Sequence, residues 1–64
     1  VISVNGESVD AGTRTITAVL ALMGIDQRGI AVARNGDVVP RSTWDEVRVL
    51  EGDRIEIVTA AAGG

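Results

Sequence analysis

The chain has 64 residues, with no Cys and no His, 6 basic against 9 acidic residues, and a formal net charge of −3. It is 45% hydrophobic with Trp44 as its only aromatic residue, so the core must be built from Val, Ile, Leu and Ala. These features rule out a disulfide or a cysteine-bound metal and remove the commonest general base. They also argue against nucleic acid and anionic membrane as partners, because both need clustered positive charge. One domain is expected at this length. No apolar run reaches the roughly 18–20 residues of a membrane-spanning helix and no basic-then-apolar leader is present, so the expected compartment is the cytoplasm.

"VISVNGESVDAG" opens with alternation that predicts a strand, with Ile2 and Val4 on one face. Asn5-Gly6 is a strong hairpin signal because both residues tolerate positive φ, and the return strand is expected over Glu7–Ala11. In "TRTITAVLALMGI", Ile16, Val19, Leu20 and Met23 fall at i, i+3, i+4 and i+7, one apolar helical stripe. Thr15 is the expected N-cap, and Gly24 with Ile25 fits a Schellman stop. "IAVARNGDVV" repeats the hairpin pattern, with a strand at Ile30–Asn35, a turn at Asn35-Gly36, and a short strand at Asp37–Val39 that Pro40 ends. "RSTWDE" reads as one helical turn with Ser42 as its cap. "LEGDRIEIVTA" gives a turn at Glu51-Gly52-Asp53, then a strand over Arg54–Ala60 with Ile55 and Ile57 on one face and Glu56, Val58 and Ala60 on the other. The order ββ, α, ββ, helical turn, β predicts an α+β domain with one helix against a mixed sheet, the first and last strands being candidates for its centre.

Several stretches stand together: "VNGE" at Val4–Glu7, the helix around Thr15–Leu22, "NGDVVPRSTW" at Asn35–Trp44, "EGDRIEIV" at Glu51–Val58, and the final "GG". In this order they resemble the ThiS family, the sulfur carriers of thiamin biosynthesis, which have the β-grasp (ubiquitin-like) fold. Arg34 stands where the family usually carries an aliphatic residue. The resemblance implies a β-grasp body over residues 1–59 and a flexible Gly-Gly tail over 60–64. It also implies a carrier that catalyses nothing and binds no cofactor. An E1-like (ThiF-like) enzyme would use ATP to adenylate the Gly64 carboxylate. Sulfur from cysteine, delivered through a desulfurase, would convert the adenylate to a thiocarboxylate, which would donate it to a ThiG-like thiazole synthase.

The tail suits such chemistry on physical grounds. A terminal α-carboxylate, with a pKa of about 3.3–3.7, is ionised at neutral pH and can attack an activated phosphorus. The steps from Ala60 to Gly64 span at most roughly 13–14 Å. The small side chains of Ala61, Ala62 and Gly63 keep that stem slim, and glycine permits a bend near the reacting carbonyl. Val58 and Ala60 lie on a strand face that a single helix cannot cover, which makes them candidates for docking. Arg41 and Trp44 are further docking candidates, although an Arg in a loop is more often solvated and a lone Trp more often caps a core. Asp53 is expected to stabilise its turn, Met23 to pack in the core, and Asp45-Glu46 to lack a pocket for acid–base work. Three other readings of the tail compete: a β-grasp sulfur carrier of another pathway, like the small subunit of molybdopterin synthase; a ubiquitin-like protein modifier; and a purely structural or binding module with an incidental tail.

Overall fold

The computed structural model describes residues 1–59, and the residues from Ala60 to Gly64 lie outside the described part. Five strands form one sheet: β1 (Ile2–Val4), β2 (Glu7–Val9), β3 (Ile30–Arg34), β4 (Asp37–Val38) and β5 (Arg54–Thr59). Helix α1 (Ile16–Leu22) and a 3-10 turn, η1 (Arg41–Thr43), complete the fold. The strand order is β2-β1-β5-β3-β4. β5, the last of these in sequence, sits in the middle, parallel to β1 and antiparallel to β3. This mixed sheet with one helix is the β-grasp arrangement, and it places the first and last strands centrally as their apolar character predicts.

Local signals account for most element ends. Thr15 is extended and its hydroxyl accepts a 3.2 Å hydrogen bond from the Ala18 N–H, satisfying one free donor of the first helical turn. At the other end Gly24 takes φ 71°. The Ile25 N–H bonds to Leu20 O (2.9 Å) and the Gly24 N–H to Ala21 O (3.1 Å), the paired bonds of a Schellman stop. Both Asn5 and Asn35 take φ 51°, as their Asn-Gly turns require.

Three expectations are adjusted. β2 ends at Val9 and not at Ala11, because Ala11 turns inward and is fully buried. β4 has only two residues; Val39 is buried and begins the descent into η1, while its N–H still bonds to Val32 O at 2.8 Å. Ser42 does not cap the following turn. η1 begins after Pro40 with no side-chain cap, and it is the Thr43 hydroxyl that donates to Pro40 O (2.8 Å).

The core lies between α1 and one face of the sheet. Ile16, Val19 and Leu20 of the helix pack with Ile2, Val4, Val32 and Ile55 of the strands and with Val49. Met23 and Ile57 are partly buried against this cluster. A helix of 7 residues could not persist alone in water; packing of its apolar stripe holds it. Trp44 closes one end of the core at 3% exposure, and its indole N–H donates to Val39 O at 2.9 Å. The sole aromatic side chain therefore has both its apolar body and its polar tip satisfied indoors.

Candidate functional site

Strand parity sets the outer face of the sheet. Side chains alternate along a strand, so Glu56 and Val58 of β5 point away from buried Ile55. The register places Val58 opposite Ala31, Glu56 opposite Ala33, and Val38 of β4 opposite Ala33. These residues line a shallow cavity of about 200 Å³ on the side away from α1. Val38 is 75% exposed and Val58 58% exposed, and the two alanines between them are half-buried. Small residues flanked by two bare valines leave a low apolar floor onto which another protein can pack closely. Val58 thus stands on an open face, as its alternation with Ile57 predicts. Val38, Ala31 and Ala33 belong to the same face; alternation along their own strands marks them, once strand pairing is known.

The end of β5 is held from both sides. On one side β3 pairs with it through Ile30 opposite Thr59. On the other, β1 pairs only as far as Val4 opposite Ile55. Beyond that point the Asn5 side chain takes over. Its Oδ1 accepts from the Ile57 N–H at 2.8 Å and its Nδ2 donates to Ile57 O at 3.1 Å. A side-chain amide here does what the next strand residue would have done.

Arg41 lies beside the same strand end. Its guanidinium donates to Ile30 O at 3.3 Å and stacks 4.4 Å from the centre of the Trp44 ring. Ile30 being opposite Thr59, this exposed cation is held near the last described residue by a cation–π contact. Trp44 itself has no surface through which to dock: it is buried, and its part is to support Arg41 and cap the core. Gly64, Gly63, Ala62, Ala61 and Ala60 lie outside the described residues.

Behind the site, Asp53 is the one buried charged residue among those described, at 7% exposure. Its carboxylate accepts from the Leu50 N–H (2.8 Å), Arg34 Nε (2.8 Å) and Asn35 Nδ2 (3.0 Å). Burial opposes its ionisation, but the hydrogen bonds from Leu50, Asn35 and Arg34, with the Arg34 charge, outweigh that and hold the carboxyl below its usual range. Arg34 is thus the partner of a buried carboxylate. Asp45 is exposed and accepts from the Thr17 hydroxyl at 2.6 Å, tying α1 to the segment after η1. Neither it nor Glu46 lines the shallow cavity on the open face of the sheet. Among the described residues no group of three or more His, Cys, Asp or Glu gathers to hold a metal ion, and no helix is long and apolar enough to cross a membrane.

Comparison with known proteins decides the family. The model of the ThiS family matches residues 1–64. The chain belongs to the ThiS family. Among solved structures, the crystal structure of the thiamine biosynthesis protein (ThiS) from Geobacter metallireducens superposes with a TM-score of 0.77 at 30% identity, covering 89% of this chain and 88% of that one. The solution structure of a thiamine biosynthesis protein from the same organism gives 0.72 at 31% identity, over 89% of this chain and 78% of that one. Two curated relatives bear the name thiazole synthase. The Paramagnetospirillum magneticum protein is 40% identical over 62 residues, covering 95% of this chain and 19% of its own length. The Magnetococcus marinus protein is 40% identical over 65 residues, covering 98% and 20%. This ThiS-family chain therefore spans about one fifth of the length of the curated relatives it matches.

Proposed function

We propose that this chain carries sulfur for the assembly of thiazole in thiamin biosynthesis, with the Gly64 carboxylate as the carrying group. The observation that supports this most strongly is the 40% identity, over nearly the whole chain, to part of proteins named thiazole synthase. A carrier segment within the same polypeptide as the sulfur acceptor is what sulfur delivery to that acceptor would favour.

In this reading the chain is the substrate of an activating enzyme and performs no catalysis. The E1-like partner positions the Gly64 carboxylate against the α-phosphorus of ATP. Carboxylate oxygen bonds to phosphorus, pyrophosphate leaves, and the carbonyl becomes electrophilic as a mixed anhydride. The outer sulfur of a desulfurase's cysteine persulfide then attacks the carbonyl and displaces AMP. A reducing thiol cleaves the S–S bond of the resulting acyl persulfide, taking up the cysteine sulfur as a disulfide and leaving a thiocarboxylate for thiazole synthase. Glycine at this position presents no Cβ to crowd the carbonyl under attack. The body docks through the open face around Val58 and Val38, with Arg41 at its margin, while residues 60–64 enter the partner's site.

Mass spectrometry after co-expression with an E1-like adenylating enzyme tests the chemistry. A gain of about 16 Da, sulfur replacing oxygen, is expected on the C-terminal peptide. Complementation of a thiamin-requiring strain tests the pathway. Full complementation by a chain lacking Gly63-Gly64 would overturn the proposal.

A further inference from the structure

The tail of a carrier is useful only if it leaves the body in a direction that the partner's cleft can receive. The structure shows one side chain gripping the backbone near the described end of β5. β5 is flanked by β3 to its last described residue, but β1 stops opposite Ile55, and beyond that point one side chain among the described residues hydrogen-bonds to the β5 backbone on this edge. That side chain is Asn5, which makes both an acceptor bond and a donor bond to the backbone of Ile57, 52 residues away. Its own backbone N–H bonds to Ile55 O at 2.9 Å, so the residue grips β5 at two successive points. Ile57 lies just before Thr59, where the described residues end.

We propose that Asn5 is a positioning residue for sulfur loading: its amide splints β5 at Ile57, so that residues following Thr59 start from a fixed point and direction. This rests on the carrier reading. The hairpin turn alone does not require an amide here. A turn at φ 51° is met equally well by glycine, whereas only a side chain with both an acceptor and a donor completes the ladder at Ile57.

Asn5→Gly isolates the effect, because it keeps the turn conformation and deletes both side-chain bonds. Two measurements on the whole chain are needed. Amide hydrogen exchange should accelerate about five- to tenfold at Ile57, with Val4 and Ile55 unchanged. In adenylation by the activating enzyme, kcat should fall about three- to tenfold while KM stays constant, because the docking face is intact and only the docked complexes with a misdirected tail are unproductive. Asn5→Asp, which keeps the acceptor for the Ile57 N–H and loses the donor, should fall between the two. A merely structural role would lower thermal stability and speed exchange throughout the sheet without changing kcat for the folded fraction. Unchanged exchange at Ile57, or unchanged kcat in Asn5→Gly with a normally adenylated wild type, would overturn the positioning role and leave the carrier reading standing. A wild-type chain that no activating enzyme adenylates would overturn both.

Discussion

Replacing Asp53 by Ala is the most demanding test of how the β3–β5 junction is held together. Three donors converge on this carboxylate, from Leu50, Arg34 and Asn35, at 2.8, 2.8 and 3.0 Å. A hydrogen bond to a charged group contributes about 1.5–3 kcal/mol, so a simple sum would exceed roughly 4 kcal/mol. That sum is too large. The Arg34 side chain is 28% exposed and Asn35 is exposed, so water recovers part of what they lose. A loss of about 3 kcal/mol is expected. Against the roughly 3–10 kcal/mol typical of a domain this size, that leaves a marginal fold. With an m-value of about 1 kcal/mol/M, the urea midpoint should drop by about 3 M. The fluorescence of Trp44, buried and the sole aromatic, reports the transition without added labels. The same carboxylate gives a pH signature. Its folded-state pKa is lowered from the ordinary 3.8. Its contribution is therefore complete above that value and is lost as pH falls through the lower folded pKa. Asp53→Asn cannot titrate, so wild type and this variant should converge in stability as the pH is taken from neutral to below 3.8. A loss under about 1 kcal/mol in Asp53→Ala, or a gap between wild type and Asp53→Asn that does not narrow in acid, would refute the reasoning.

Leu20→Ala removes a fully buried helix residue and should cost about 2–5 kcal/mol, read from the same urea titration. Thr15→Ala deletes the hydroxyl that accepts from the Ala18 N–H and should cost about 1 kcal/mol by thermal melting, with Thr15→Ser recovering most of it. Val58→Asp places a charge on an exposed position, so the melting curve should stay near wild type while affinity for the activating enzyme or thiazole synthase falls by at least about tenfold in calorimetry. Unchanged affinity for both would remove the open face from the docking surface.

Much of the fold is legible in the sequence because its signals are local. The stripe from Ile16 to Met23, the cap at Thr15 and the stop at Gly24-Ile25 each act within a few residues, so spacing alone reveals them. The exposure of Val58 follows from alternation within one strand. The two Asn-Gly turns are equally plain as turns, but their second role is not. Asn5 bonds across 52 residues to Ile57, and Asn35 across 19 to the Arg54 N–H, and nothing in either turn's own neighbourhood announces the partner. Arg34 and Asp53, likewise 19 apart, become a pair only when β3 and β5 lie side by side. Trp44 illustrates competing physics: its size suits it to an interface, but with no other aromatic to fill the end of the core, burial wins.

The central place of β5 also constrains how the domain is made. The sheet is bisected by the last of its five strands to leave the ribosome, and β1 must wait for the distant neighbour it pairs with in parallel. Such long-range pairing makes early, partial folding unprofitable, since closing the long loop costs entropy before any contact compensates it. A nascent chain lacking Arg54–Thr59 would be two separate hairpins and a short helix with no shared floor. The open face around Val58 and Val38 therefore exists only once Arg54–Thr59 has been synthesised, and a prematurely terminated product lacks it.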